Sequence, residues 1–304
     1  MHLVSLPPDT LDHLVHSLKT QWKRYRKKLR RCQKRFSADA VHESRVETRR
    51  LLSLVGLFAP FLAAGRFEKV ERALKQHLDT FDDLRDTHVQ DLLVRKMADG
   101  FDAAQVFHAY LRNREERLTK RTRKAIKRVK AGRLNKLIAA CRQNVTARSR
   151  RARPQRASAA VLRAVDRAFA RTRRLRDRIL PDDTATIHRT RVAFKKFRYM
   201  VETLAHYLPG VDRRFRAELH GYQTMMGDIQ DMEVLLQALD KYLQKKSRQP
   251  ERARPFRDEL LRRRLALVRA FLAEAARLEC FWPAREPSPR VGRPAARQRL
   301  IRTP

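Results

Sequence analysis

Along most of the chain, apolar residues return every three or four positions, the spacing that gathers them on one face of a helix. Leu11, Leu14, Val15, Leu18, Trp22, Tyr25 and Leu29 form one such stripe. Phe67, Val70, Leu74, Leu78 and Phe81 form another, and Phe107, Leu111 and Leu118 begin a third. No run alternates with period two between turn residues, as hairpin strands do. The pattern predicts an all-α protein. Pro7-Pro8-Asp9-Thr10 reads as the start of the first helix, with a polar cap just before the apolar stripe. From Ala284 the chain reads AREPSPRVGRPAARQRLIRTP, rich in Pro and Arg and without an apolar period. That segment, 284–304, is expected to be a disordered basic tail.

The polar positions carry a second pattern, and it is written twice. VHESRVETRRL, from Val41 to Leu51, and IHRTRVAFKKF, from Ile187 to Phe197, stand 146 positions apart (187 − 41). At that offset His42 falls on His188, Arg45 on Arg191, Val46 on Val192, Arg49 on Lys195 and Arg50 on Lys196. Upstream, Lys28 falls on Arg174 and Leu29 on Leu175. Downstream the offset becomes 145: Val70 meets Phe215, Leu74 meets Leu219, Phe81 meets Met226, Asp86 meets Asp231 and Val89 meets Val234. Two blocks in the same order imply an internal repeat. The chain is expected to form two similar helical halves, about 1–150 and 155–283. They join at the basic stretch RSRRARPQRAS from Arg148 to Ser158 and pack as helical bundles.

Composition then sharpens the picture. The 304 residues carry 71 Lys and Arg against 33 Asp and Glu, a formal net charge of +38. At 42% hydrophobic the chain is too apolar to be a disordered polycation. A globular fold so charged repels itself unless anions are near. A polyanionic partner is therefore implied: nucleic acid, an acidic membrane face or an inorganic phosphate polymer. Three cysteines, Cys32, Cys141 and Cys280, are far apart and match no Cys/His metal spacing, so neither a disulfide framework nor a zinc site is expected. The first residues hold no secretory signal, and no stretch approaches the ~18 apolar residues of a membrane span. The protein reads as cytoplasmic.

On a helix advancing about 100° per residue, with Val41 at zero, His42, Arg45 and Arg49 fall at about 100°, 40° and 80°. Leu51, Val55 and Phe58 flank that row on one side, Val46 and Leu57 on the other. A solvated helix face is broad and mixed in sign; this row is narrow and edged by apolar residues, as in a cleft. In the second copy His188, Arg191, Lys195 and Arg198 step by three, four and three, a line about 10 Å long at a rise of about 1.5 Å per residue. A linear array of donors suits a linear anion, with Arg offering a fork to phosphate oxygens and Lys a point charge. The plainer reading has these cations paired with Asp82, Asp83, Asp86 and Asp231. The excess of basic residues weakens it for the row as a whole. A lone histidine per helix, without a second ligand at i+4, is poor metal geometry, and no nucleophile partners it for catalysis. Each histidine is expected instead to donate to phosphate or orient an arginine, with a bound anion favouring the imidazolium. Trp22, Tyr25 and Phe36 read as core packing rather than as base-stacking platforms.

These residues resemble a known family. His-x-x-Arg-Val-x-x-Arg-Arg in the first half and His-x-x-Arg-Val-x-x-Lys-Lys-x-Arg-Tyr in the second are similar to the motifs of the CHAD family, the conserved histidine α-helical domain. FDDLRDTHV (Phe81 to Val89) and MGDIQDMEV (Met226 to Val234) resemble its Leu-Gly-x-x-Arg-Asp-x-x-Val element. The resemblance covers the chain up to about Pro283, as a single domain. It implies two pseudo-repeated four-helix bundles around a central basic cavity, no enzymatic activity and no cofactor. It also implies binding of long-chain inorganic polyphosphate, with association with polyphosphate granules; non-specific RNA or DNA binding is the alternative. The cavity residues it implies are His42, Arg45, Arg49 and Arg50 in the first half and His188, Arg191, Lys195, Lys196 and Arg198 in the second, joined by Lys28 and Arg174. Two departures stand out: Asp82 replaces the element's glycine in the first copy, and Gln230 its arginine in the second. Neither is expected to remove an anion contact. The Glu-x-Glu-x-Lys signature of triphosphate-tunnel enzymes is absent, so hydrolysis is not implied. The paired aspartates read as helix caps or ion pairs in preference to a magnesium site.

Overall fold

The apolar stripes become helices in a computed structural model, which describes residues 6–63, 65–97, 100–151, 153–246 and 250–282. In chain order these are α1 (Thr10–Lys34), α2 (Ala38–Leu57), α3 (Arg66–Asp79), α4 (Asp82–Arg95), α5 (Asp102–Arg128), α6 (Ala131–Arg151), α7 (Pro154–Arg176), α8 (Thr184–Leu204), α9 (Arg213–Lys246) and α10 (Arg254–Glu274). Short 3-10 turns link several of them, and no strand occurs among the described residues. The all-α class is thus observed. The expected basic tail lies outside the described residues. The basic stretch at 148–158 holds the end of α6 and the start of α7.

Local chemistry sets the helix ends. The Thr10 hydroxyl donates to the Pro7 carbonyl at 2.7 Å, and α1 begins there, although the Asp9 side chain accepts no cap bond. Ser37 caps α2 by accepting from the Ala40 amide, and Asp183 caps α8 by accepting from the Ala185 amide. Such side chains satisfy amides that the helix itself leaves unpaired. The two caps stand 146 apart (183 − 37). Gly65 and Gly210 hold the two left-handed backbone positions among the described residues, at φ 75° and 79°, where a Cβ is strained. They precede α3 and α9 and stand 145 apart (210 − 65). Caps and turns therefore carry the same two offsets as the motifs.

Consecutive helices pack within each half: α1 on α2, α2 on α3 and α4 on α5; then α7 on α8, α8 on α9 and α9 on α10. α6 closes against α1 and α3. Across the halves, α2 lies on α8 and α4 on α9. The apolar side chains collect in two clusters. The larger holds Tyr25, Phe58, Phe81, Phe194, Phe197 and Tyr222, all essentially without exposure. The smaller joins Val94, Phe107 and Leu111 to Leu235, Leu239, Phe256 and Leu260. Each such buried side chain contributes about 1.5–3 kcal/mol of transfer free energy. Both clusters draw on both halves, so parting the halves would bare apolar surface in each. Trp22 and Tyr25 lie in the core as expected, with the Trp22 indole donating to Asn135 at 2.9 Å. Cys32 and Cys141 are buried free thiols and Cys280 an exposed one. No described helix is long and apolar enough to cross a membrane.

Candidate polyanion-binding site

The packing of α2 on α8 brings the two cationic rows into one electrostatic unit. Arg49 and Lys195, matched positions of the two motifs, sit at its centre. Burial pushes the Arg49 guanidinium down to about 10, and the nearby Arg45 and Arg191 charges push the same way. Burial also drops the Lys195 ammonium to about 6, reinforced by Arg49, Arg191, Arg198 and Arg45. A lysine with that value is largely uncharged at neutral pH. Gly56 of α2 faces Lys196 and Met200 of α8; a Cβ there would lie 3.5 Å from the Lys196 Cε.

The histidines open the rows. His42 is exposed and His188 half-buried. Burial lowers the pKa of both. For His42 the charges of Arg85, Arg49 and Arg45 add to it, against Asp39. For His188 the charges of Arg191, Lys195 and Arg189 add to it, while the Gln230 side chain opposes. Without an anion, both imidazoles are thus held towards the neutral form.

The matched arginines differ most. Arg45 is 6% exposed; it donates to the Asp82 carboxylate at 2.5 Å and to the Leu78 carbonyl at 3.1 Å. The Asp82 carboxylate thus holds the Nη1 of an arginine expected among the anion contacts. At the corresponding place beside Arg191 stands Gly227. A Cβ on Gly227 would lie 3.5 Å from the Arg191 Nε and 3.7 Å from its Nη2. The Arg191 Nε and the His188 Nδ1 are both buried without a hydrogen-bond partner. Asp228 and Asp231 of α9 lie near enough for Arg191 to favour their charged forms, yet burial raises the pKa of both. Asp86 of α4 is likewise raised by burial, and Asp82 adds to it.

The remaining expected residues are distributed around this centre. Arg198, 6% exposed, donates to Glu202 at 2.5 Å and to Gln223 at 2.9 Å, and lies 4.5 Å over the Tyr199 ring. Its fork is therefore engaged within the protein. Arg50 pairs with Glu47 at 3.0 Å, and Lys28 with Glu43 at 2.9 Å. Lys196 lies over the Phe67 ring at 5.5 Å, with its pKa lowered by burial and supported by Glu71. Arg174 is exposed in the last turn of α7. The plainer pairing considered from the sequence thus holds for several residues, while Arg49, Arg191 and Lys195 keep no ion pair within 4 Å among the described residues.

Other members were not foreseen. Arg85 sits beside His42, and burial lowers its pKa while Asp231 supports its charge. Its signal was legible as the arginine of the FDDLRDTHV element. A cavity of about 840 Å³ adjoins the row, lined by Arg24 of α1, Arg50 of α2, Tyr199 and Glu202 of α8, and Arg213 and Arg216 of α9. Of these only Arg50 was expected. Tyr199 closes the second motif and Glu202 follows one turn later on the same helix, whereas Arg24, Arg213 and Arg216 come from helices outside the His-led motifs, so nothing in the linear sequence joined them. No group of three or more potential metal ligands occurs among the described residues.

Comparison with known proteins agrees with this architecture. The CHAD domain family model matches residues 14–240; the chain belongs to the CHAD family. Among solved structures it is similar to the crystal structure of the CHAD domain from the plant Ricinus communis, with a TM-score of 0.65 at 18% identity, covering 90% of this chain and 94% of that one. At that identity the likeness is one of fold. No curated protein matches the chain by sequence.

Proposed function

We propose that the protein is a non-enzymatic module that binds long-chain inorganic polyphosphate across the α2–α8 cationic rows. The observation that carries this reading is the convergence of Arg49, Arg191 and Lys195, half-buried cations without an ion pair among the described residues, where burial and the neighbouring charges lower the pKa of Arg49 and Lys195. Buried like charges are costly, and an anion laid among them removes the repulsion and replaces lost hydration. His42 and His188 open the two rows, and Arg45, Arg50, Lys28, Lys196, Arg198 and Arg174 supply the surrounding positive field. Residues 1–283 act as one domain built of two pseudo-repeated helical bundles, and the basic segment beyond adds non-specific attraction. A polymer of repeating phosphates suits a site that repeats its donors along a line, in a chain whose sequence carries no nucleic-acid recognition motif. Binding of this kind places the protein at cytoplasmic polyphosphate granules.

A competition experiment tests the reading. Long-chain polyphosphate is immobilised, loaded with the protein, and challenged at fixed salt with RNA, duplex DNA and free polyphosphate at equal phosphate concentration. Free polyphosphate is expected to displace the protein at far lower concentration than either nucleic acid. Equal displacement by RNA would transfer the function to non-specific nucleic-acid binding.

A further inference from the structure

We propose that Asp82 is a built-in competing anion that disables the first-half arginine, so that a bound phosphate seats first on the second half, at Arg191, His188 and Gly227. The inference rests on the polyanion-binding reading and adds an order of occupation to it. Its basis is geometric. The Arg45 Nη1 donates to both the Asp82 carboxylate and the Leu78 carbonyl. A new anion therefore competes with Asp82 for the charge of that arginine. Arg191 occupies the matched position in α8, and its Nε is buried without a partner, as is the Nδ1 of His188 one turn earlier. The Arg191 Nε, a buried donor without a partner, leaves an unmet demand for an acceptor, because an unsatisfied buried polar group carries its full desolvation penalty. Gly227 keeps the space beside them open: at this point α9 presents no side chain, where α4 presents a carboxylate.

The helix pattern explains why the halves differ. In the first half the chain breaks between α3 and α4, at Thr80 and Phe81. At the break the Leu78 carbonyl accepts from the Phe81 amide at 2.9 Å and takes Arg45 as a further donor, while Asp82 falls in the first turn of α4, where a carboxylate is favoured by the helix dipole. Arg45 fastens that joint. In the second half α9 runs unbroken through Gly227, and its nearby carboxylates, Asp228 and Asp231, form no ion pair with Arg191 within 4 Å. Asp82 is half exposed, with 50% of its side chain in solvent against 7% for Arg45. It can swing away without being buried elsewhere, and so it competes with an incoming phosphate without sealing the site.

The test uses the full chain and inorganic pyrophosphate, short enough to engage one half, with calorimetry at fixed salt. Asp82→Asn is expected to raise affinity roughly threefold to tenfold, the range for releasing a partly exposed ion pair. Asp83→Asn is the control for net charge. Asp83 is 67% exposed and lies 4.0 Å from Arg121, away from Arg45, and its removal is expected to leave affinity nearly unchanged. Gly227→Asp transfers the competitor to the second half and should abolish pyrophosphate binding with helicity intact, since the added Cβ meets its neighbours at ordinary contact distance. Equal effects of Asp82→Asn and Asp83→Asn, or tolerance of Gly227→Asp, would overturn the proposal. Failure of wild-type protein to prefer long polyphosphate over RNA would defeat the functional reading alone, since the three variants still rank against one another with pyrophosphate as probe.

Discussion

Arg45 and Arg191 are the same residue at the same step of the same motif, and their surroundings give them opposite work. Arg45 holds together the joint between α3 and α4 through Asp82 and the Leu78 carbonyl. Arg191 faces the bare backbone of Gly227 on a continuous helix. Around them the contrast repeats. His42 has the Arg85 cation beside it, whereas His188 has neutral Gln230. A repeat therefore copies a stripe of donors without copying its counter-ions, which belong to the helix packed opposite. On the proposed reading, stability and binding, which a symmetric site would divide evenly, are separated between the halves.

The largest expected effect comes from exchanging these roles by mutation. Arg191→Glu should abolish polyphosphate binding, a loss of more than about 3 kcal/mol, because it puts an unpaired anion at the open seat. Arg191→Met should cost affinity while leaving unfolding free energy unchanged or raised, since it removes a buried charge that has no partner. Arg45→Met should do the reverse. It removes the side-chain donor to the Leu78 carbonyl, which keeps the Phe81 amide, and leaves Asp82 without its partner, costing about 1–2 kcal/mol of stability once the exposure of Asp82 is discounted, with the smaller effect on binding. Urea unfolding and titration calorimetry on the two variants read both quantities. If Arg45→Met proves the more damaging to binding and neutral to stability, the assignment of roles is reversed.

Lys195 sharpens the comparison at the point where the rows meet. Its folded pKa of about 6 lies far below that of an unfolded lysine, about 10.4. Between those values the unfolded chain holds a proton that the folded chain does not, so stability rises with pH across the window. Below about pH 6 both states are protonated and the cost of the buried charge is fully present. Lys195→Met should stabilise the free protein by about 1–3 kcal/mol at neutral pH, flatten the rise in stability between pH 6 and 10, and weaken binding. Melting temperatures across that range, measured with and without polyphosphate, are the check. A Lys195→Met protein that is less stable than wild type would show that the ammonium has an internal partner.

Much of the architecture was legible before any coordinates. The three- and four-residue steps of Leu11 to Leu29 and of Val70 to Phe81 announced helices because core packing of helices imposes that period. The motif offset located α2 and α8, whose caps at Ser37 and Asp183 obey it. A similar signal went unread in Gly65 and Gly210, whose shared offset and left-handed backbone mark equivalent turns. The site was legible as a set of cations, and illegible as a set of partners. Nothing local to His-x-x-Arg announces that Arg45 will meet a carboxylate 37 positions on while Arg191 meets a glycine. The substitution at Asp82 was visible, but its consequence depends on the α3–α4 break that turns that side chain towards α2. Arg198 likewise fits the row by spacing alone. Its engagement with Glu202 and Gln223 depends on how α9 lies against α8.

The smallest effects concern the histidines, and they separate the halves by pH. Both imidazoles are lowered in the free protein, His42 by burial and then Arg85, Arg49 and Arg45, His188 by burial and then Arg191, Lys195 and Arg189. A phosphate beside either ring raises its pKa above the free value. Affinity is then highest where both forms are protonated and declines as pH climbs from below 6.5 through the raised value, with a proton taken up on binding in between. Lys195 takes up a proton over an overlapping range, so the histidines are best read in the Lys195→Met background. There, His188→Gln should flatten the pH profile of affinity more than His42→Gln does. The Arg85 charge continues to resist protonation of His42 after the anion binds, while Gln230 favours protonation of His188. The expected difference is about twofold to fivefold in the ratio of affinities at pH 6 and pH 8, within one unit of pKa shift. Calorimetry in two buffers of different ionisation enthalpy counts the protons directly. Equal flattening by the two variants would mean that the anion bridges both histidines at once, and that the inequality of the halves ends at the arginines.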